Sequence, residues 1–450
     1  KRADLKIFVI WTAMSVLDVV VVGNTGTGKS TLCGHLLSAT QSVSSQRVDA
    51  ARKRADEMGA PGKRLAWLMD RNTRDREMGT TLTCSYERLK TPSRGMTLID
   101  VPGRRKYLKS MITGASQADA ALVLVTAREG EFESSMLKEA ATRDHGLLIF
   151  TAAGIAKVAI AVTHMDGVDW NQERFQTVEK EILSYLKKVG YNPETVKVVP
   201  VNALEGDNLV TRSRNSPWYA GPTVIEILQG MTPPKRDAEK PLRLCVVQTF
   251  DVGGQAVVTG RVETGSVKAG DTVVVAPQGL RCLVESLQHH GETVQVGKPG
   301  EFVGLRLSGV KPAELRRGAV VSDAQADPAG ACSSLTAQLL VLSHPSEIRV
   351  GYCPVLSVHG THVQCKITEL KSRMDRRTGK EVEANPEAIK AGEAAIIELV
   401  PLKPLSLETF GTYPALGRFA MRDFGTTIAV GVIKKVERFP AKSKSRERVA

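Results

Sequence analysis

The stretch DVVVVGNTGTGKSTLCGHLLS, Asp18 to Ser38, decides how this chain folds. Its opening DVVVV is nearly continuous in apolar residues, as a strand buried on both faces should be. At its other end Leu32, Leu36 and Leu37 give a helix one apolar side. Between them GNTGTGKS, Gly23 to Ser30, fits the pattern G-x-x-x-x-G-K-[ST]. Strand, glycine loop and helix in that order suit a phosphate group. The loop backbone from Asn24 through Thr25, Gly26, Thr27 and Gly28 to Thr31 can curl around phosphate oxygens, and the helix N-terminus favours their charge. Lys29 is then expected to neutralise β/γ oxygens, and the Ser30 hydroxyl to bind Mg²⁺.

Outward from this stretch the pattern repeats. MTLID (Met96 to Asp100), AALVLV (Ala120 to Val125), KVAIAV (Lys157 to Val162) and VKVVPV (Val196 to Val201) are further short apolar runs. Helical periods separate them; in QERFQTVEKEILSYLKKV, Phe175, Val178, Ile182 and Leu186 recur at helical spacing. This predicts an α/β domain, a mainly parallel sheet with helices on both faces.

Most of these runs end in a motif. After MTLI comes D-x-P-G, in which Asp100 is expected to hold Mg²⁺ and the Gly103 N–H to touch a γ-phosphate. Alone it is an ordinary turn, but it stands at the C-terminal end of a parallel strand, where ligands of open α/β sheets gather. In EMGTT, Glu77 to Thr81, Thr81 offers a second hydroxyl to the metal. THMD, Thr163 to Asp166, closes KVAIAV; a carboxylate there can accept both N1–H and N2–H of guanine, so Asp166 is expected to set base choice. NAL, Asn202 to Leu204, follows the next run, and the Ala203 N–H can donate to guanine O6.

TPPKRDAEKP, Thr232 to Pro241, reads as a linker. Beyond it G-G and A-G turns punctuate short alternating strands, which predicts all-β barrels or sandwiches. DAQADPAGA, Asp323 to Ala331, divides this part in two. The expected domains are 1–235, including an N-terminal extension over 1–17, then β domains over 240–328 and 333–438, and a basic tail over 439–450. IFVIWTAMSVL, Ile7 to Leu17, is too short for a membrane helix and reads as an extension of the first domain rather than a cleaved targeting remnant.

The chain has 450 residues, 42% of them hydrophobic and 24% charged, which excludes wholesale disorder. Its formal net charge of +13 favours a polyanionic partner such as RNA. Seven cysteines without a C-x-x-C pair suggest neither a disulfide framework nor a zinc site, and fit a reducing, cytoplasmic setting without a membrane. His289, His290 and Trp67 are expected to be packing or surface residues. The basic clusters RRKYLK and KSRMDRRTGK are either solvated faces or RNA contacts.

The order GNTGTGKS, MGTT, DVPG, THMD, NAL and two β domains resembles the translational GTPases. More narrowly, RKRADEMG, LAWLMDRNTRDREMGTTLT, KSMITGASQADAALVLV, HPSEIRVGYCPVL and YPALGRFAMRDFGTTIAVGVIKKV resemble the eukaryotic elongation factor 1-alpha family across about Asp18 to Val436. The resemblance implies a monomeric carrier that binds GTP/GDP with Mg²⁺, takes aminoacyl-tRNA to the ribosomal A site, and is recharged by a guanine-nucleotide exchange factor. It also implies guanine-binding roles for Thr163, His164, Asp166, Asn202, Ala203 and Leu204.

The chain departs from that family in four places. The loop GHVDSGKS is here GNTGTGKS. N-K-M-D is here T-H-M-D, so Thr163 is expected to bond to the phosphate loop and His164 to stack on the purine. Asn202 replaces a serine. Arg104 stands in the catalytic position where the family has a water-positioning histidine, and a guanidinium has only donors to offer. Slow hydrolysis, or a nucleotide-holding regulatory paralogue, is the expectation. A termination or rescue GTPase is a third reading, set back by the short segment before the first strand.

Overall fold

A computed structural model describes residues 17–439 apart from 93, 138–140, 290–291, 345, 376–377 and 424–425. The expected extension up to residue 16, His290 and the tail from 440 lie outside the described residues. The chain divides into two compact units, Lys1–Lys235 and Arg236–Ala450.

In the first unit β1 (Leu17–Gly23), β2 (Ser85–Lys90), β3 (Gly95–Asp100), β4 (Ala120–Thr126), β5 (Lys157–Thr163) and β6 (Lys197–Pro200) form one sheet. Its spatial order is β2-β3-β1-β4-β5-β6. The five predicted runs are its parallel strands. β1, β3 and β4 are buried at every residue, so both faces of the sheet are covered.

The sixth strand, β2, is the one the sequence reading missed. It pairs antiparallel with β3, and its SYERLK alternates buried with exposed side chains along a mostly polar segment. Glu87 is buried there because Arg47 reaches it at 2.6 Å and Arg71 pairs with the same carboxylate oxygen.

The described helices are α1 (Lys29–Ala39), α2 (Ser45–Glu57), α3 (Thr73–Glu77), α4 (Leu108–Ala115), α5 (Glu131–Ser135), α6 (Ala141–Thr151), α7 (Gln172–Val189) and α8 (Val224–Gly230). α7 buries Phe175, Val178, Ile182 and Leu186, the face its periodicity predicts. Asn171 Oδ1 caps it by accepting the Arg174 N–H, and Gly190 ends it at φ 129°. The segment from α2 to α3 has its own small core, in which Trp67 is 3% exposed, a packing residue as expected. It lies against α1 at Gly34, where a Cβ would sit 2.0 Å from Leu65 O.

The second unit holds two closed barrels. In the first, strands Thr272–Ala276, Val320–Asp323, Arg243–Val252, Gln255–Thr264, Phe302–Ser308 and Leu280–His289 follow one another around the ring, each antiparallel to the next. In the second the ring is Val355–Val358, Arg418–Asp423, Thr426–Arg438, Cys332–Val341, Ala394–Pro401 and Thr361–Met374. Closure leaves these ring strands no free edge. Inward-facing Val and Leu fill each barrel, so both interiors are packed cores.

Candidate nucleotide-binding site

β1 lies between β3 and β4, so the chain leaves it in opposite directions on its two sides and opens a crevice at its C-terminal end. The glycine loop occupies that place. It turns through positive φ at Gly26 (87°) and Gly28 (81°), and α1 starts at Lys29. Inside the loop, Asn24 Oδ1 accepts the Thr25 N–H at 2.8 Å and the buried Thr27 hydroxyl donates to Asn24 O at 2.9 Å. Lys29 Nζ folds back to donate to Gly23 O at 3.1 Å and Asn24 O at 2.8 Å. The D-x-P-G turn presses on the same loop: a Cβ on Gly103 would lie 2.5 Å from Lys29 Nζ and 2.7 Å from Thr25 N. Only glycine permits that approach.

Beside the lysine stand two hydroxyl-carboxylate pairs. Ser30 Oγ donates to Asp100 Oδ2 at 2.5 Å, and Thr81 Oγ1 donates to Asp70 Oδ1 at 3.0 Å. Asp100 is fully buried and its Oδ1 has no partner. Burial pushes its carboxyl up to about 7, against the pull of Lys29, and burial likewise holds the Lys29 ammonium below its usual value. Burial also raises Asp70. For both carboxylates burial outweighs the positive charge nearby, Lys29 for Asp100 and Lys63 with Arg76 for Asp70. Among the described residues no three His, Cys, Asp or Glu side chains are grouped to hold a metal by themselves.

Thr25, Gly26, Gly28, Lys29, Ser30, Thr31, Thr81, Gly103, His164, Asp166, Asn202, Ala203 and Leu204 line one cavity of about 300 Å³. Most of the residues singled out in the sequence thus meet in one place. Asn24, Thr27, Thr163 and Asp100 do not line it; Thr27 bonds to Asn24 O, Ser30 to Asp100 and Thr163 to Val125 O. On the base side, Asn202 Oδ1 accepts the N–H groups of Leu204 and Glu205 at 2.9 and 3.2 Å, fixing the NAL turn. Asp166 is exposed. His164 takes a left-handed conformation, φ 56°, with Nδ1 3.2 Å from Thr126 Oγ1. Burial and nearby Arg128 lower its pKa despite Asp166. The Thr163 hydroxyl does not reach the phosphate loop: it donates to Val125 O at 3.1 Å, because β5 runs beside β4 and that carbonyl is nearer.

Sequence reasoning missed four charged or titratable contributors. Lys63, Asp70 and Arg128 line the cavity, though none of them was given a role there. His145, on α6, lies under the loop with Nδ1 accepting the Gly23 N–H at 3.3 Å. Only Asp70 left a signal, since it stands eleven residues before Thr81 in the segment that carries EMGTT.

Arg104 is exposed, does not line the cavity, and has no side-chain partner among the described residues. Of the basic clusters, Arg105 is paired with Asp144 at 2.9 Å, Lys371 with Glu398 at 2.7 Å and Arg373 with Glu383 at 2.9 Å, while 376–377 lie outside the described residues. His289 Nδ1 sits 2.9 Å from Phe302 O, a structural contact. All seven cysteines are free. No described helix is long and apolar enough to cross a membrane.

Residues 14–250 match the elongation factor Tu GTP binding domain, residues 255–322 elongation factor Tu domain 2, and residues 334–434 the GTP-eEF1A C-terminal domain-like family. The chain is 41% identical over 435 residues to elongation factor 1-alpha of Coccidioides immitis, covering 94% of each chain. It is 42% identical to that of Meyerozyma guilliermondii, covering 94% of this chain and 95% of the relative. The crystal structure of the S. cerevisiae Ski7 GTPase-like domain bound to GTP shares the fold, with a TM-score of 0.77 at 18% identity over 95% of this chain and 98% of the other. By these matches along nearly its whole length, the chain belongs to the elongation factor 1-alpha family of translational GTPases.

Proposed function

We propose that this protein binds GTP with Mg²⁺ in the cavity above the glycine loop, carries aminoacyl-tRNA to the ribosomal A site, and hydrolyses its nucleotide slowly. One observation carries the nucleotide reading: loop residues Thr25, Gly26, Gly28, Lys29 and Ser30 line a single cavity with Gly103, Thr81, Asp166 and the 202–204 turn. Lys29 would exchange its two loop carbonyls for phosphate oxygens, with the N-terminus of α1 adding favourable field. Asp166, exposed at the rim, is free to accept the guanine edge, and the turn held by Asn202 presents the Ala203 N–H to O6.

The residues present suit a divalent cation. Asp100 Oδ1 is buried without a partner, and the hydroxyls of Ser30 and Thr81 stand beside it. All three are hard oxygen donors of the kind Mg²⁺ takes alongside phosphate and water. Ser30, Thr81 and Asp100 would hold the ion, which supplies charge that draws β- and γ-phosphate oxygens together.

Arg104 sets the rate. Its side chain is exposed and can only donate, so it cannot take a proton or a hydrogen bond from an attacking water. The same observation supports a second reading, a paralogue that holds nucleotide and acts as a ribosome- or RNA-binding scaffold. Purified protein assayed for GTP, ATP and XTP binding, for GTP-dependent protection of aminoacyl-tRNA, and for phosphate release with and without ribosomes separates the two. Binding of ATP as tight as GTP ends both. Protection with ribosome-stimulated release supports the carrier; GTP binding without either supports the scaffold.

A further inference from the structure

Arg128 stands two residues past the end of β4 and lines the cavity with His164, Asp166 and Ala203. Its backbone is fixed. The Arg128 N–H donates to Thr126 Oγ1 at 3.2 Å, and Arg174 reaches Ala127 O at 2.7 Å and Arg128 O at 3.2 Å. The side chain then runs across the turn that carries Asp166: a Cβ on Gly167 would lie 3.2 Å from Arg128 Nε, 3.6 Å from Cγ and 3.9 Å from Cδ. Glycine at 167 leaves it that room.

The guanidinium itself is loosely held. The side chain is 47% exposed, and among the described residues its ion pair is with Glu131 at 3.5 Å, a surface contact three residues along the chain. Pairs of that kind contribute little, so the head group can leave it for a ligand.

His164, expected to stack on the purine, is placed differently. Its half-buried ring has Nδ1 3.2 Å from Thr126 Oγ1 and 3.3 Å from Thr163 Oγ1, which anchors it at the ends of β4 and β5. A short ring anchored there reaches less far than an extended arginine. The two are close enough for the Arg128 charge to lower the pKa of the ring.

We infer that Arg128 covers the face of the bound purine with its guanidinium, a task that residue 164 is too short and too firmly anchored to perform. The inference rests on the reading that the cavity holds a guanine nucleotide. In that reading Asp166 and the Ala203 N–H take the edge of the base, so a contact from Arg128 falls on the ring face. A guanidinium is planar, delocalised and weakly hydrated, which suits it to lie on an aromatic ring while its donors stay in water. Contacts of this kind strengthen binding on the order of 10-fold, whatever the number of phosphates.

The test titrates the full nucleotide-free chain in Mg²⁺ by calorimetry with GDP, with GTP, and with inorganic tripolyphosphate, a probe that has no base. In Arg128→Ala both nucleotides weaken alike, on the order of 10-fold, while tripolyphosphate binds as it does to the wild type. Arg128→Lys keeps a cation on a long stem and guards against a folding defect; its affinity for GDP falls between the two. Unchanged GDP affinity in Arg128→Ala, a loss confined to GTP, or an equal loss for tripolyphosphate overturns the inference, the last by showing that Arg128 acts on phosphate through its charge. Asp166→Asn tests the underlying reading separately. Its amide can donate to the carbonyl that xanthine carries in place of the guanine amino group, so affinity passes from GDP to XDP. If it does so and Arg128→Ala is silent, the inference alone falls; if GDP binds Asp166→Asn as before, the base reading falls and takes the inference with it.

Discussion

Ser30 Oγ donates to one oxygen of Asp100 at 2.5 Å, while the other oxygen of that carboxylate is buried with no partner. An unpaired buried carboxylate oxygen is destabilising, so its persistence marks a place prepared for something absent from the protein itself. The nearest positive charge, Lys29, is engaged with Gly23 O and Asn24 O. Phosphate and its counter-ion are the components that would satisfy both groups together.

The first prediction follows from that carboxylate. Asp100→Asn keeps the shape and the Ser30 contact but removes the charge. We expect Mg²⁺ to lose most of its ability to retain GDP, with a midpoint raised on the order of 10–100-fold and EDTA-treated protein unaffected. Stopped-flow release of labelled GDP reads it directly. Equal Mg²⁺ dependence in variant and wild type would remove Asp100 from the metal site.

The second concerns Arg104, which is exposed and unpaired among the described residues. Arg104→His supplies a group that can accept from water, and water-positioning or general-base groups typically contribute about 10²–10⁴ in rate. Ribosome-stimulated phosphate release should rise by roughly 10² with GTP affinity unchanged. A fall in rate would instead identify Arg104 as a donor to transition-state charge, contrary to the reading given above.

A third lies in the barrel pair. Arg243 is fully buried, bonded to Glu408 at 2.7 Å and Asp327 at 2.7 Å, and stacked 4.3 Å from the centre of the Tyr413 ring. It belongs to a strand of the first barrel, while Glu408 and Tyr413 belong to the part of the chain that forms the second. Removing one member of a buried pair typically costs about 3–5 kcal/mol. Arg243→Met should fall near the lower end, about 3 kcal/mol, because Arg438 still reaches Glu408 at 2.7 Å. Urea unfolding followed by tryptophan-independent circular dichroism measures this, and a loss under about 1 kcal/mol would show that the network is dispensable.

Much of this was legible in the sequence because parallel strands are read from unbroken apolar runs and their C-terminal ends carry the motifs. β1 and β5 delivered Lys29 and Asp166 to one cavity for that reason. β2 was not legible, since a half-buried edge strand such as SYERLK has the composition of a loop until its pairing with β3 is known. Asp70 and Arg128 were hidden for a related cause. Asp70 reaches the cavity by the return of a loop, and Arg128 stands just past the end of β4, whose apolar run carries no motif. Thr163 shows the opposite case: the expected bond to the phosphate loop is not made, because a neighbouring carbonyl on β4 takes its hydroxyl.

The last prediction comes from His145, which no motif singles out. Its Nδ1 accepts the Gly23 N–H at 3.3 Å, so the proton sits on Nε2, which is buried with no partner. Burial and the Lys29 charge lower its pKa from 6.5 to about 3. Folding therefore excludes a proton that the unfolded chain binds below pH 6.5. Stability must fall as pH drops through that value and continue falling toward about 3, with nothing gained above it. At pH 5 the penalty from this one ring is about 2 kcal/mol by linkage. His145→Asn keeps an acceptor for the Gly23 N–H without a titrating group, so its loss of Tm between pH 7 and pH 5 should be smaller than that of the wild type. His359, lowered by burial to about 4 in the second barrel, adds its own share in both proteins and cancels in the comparison. Parallel Tm profiles for wild type and His145→Asn would mean that the ring is reached by water and carries no such constraint.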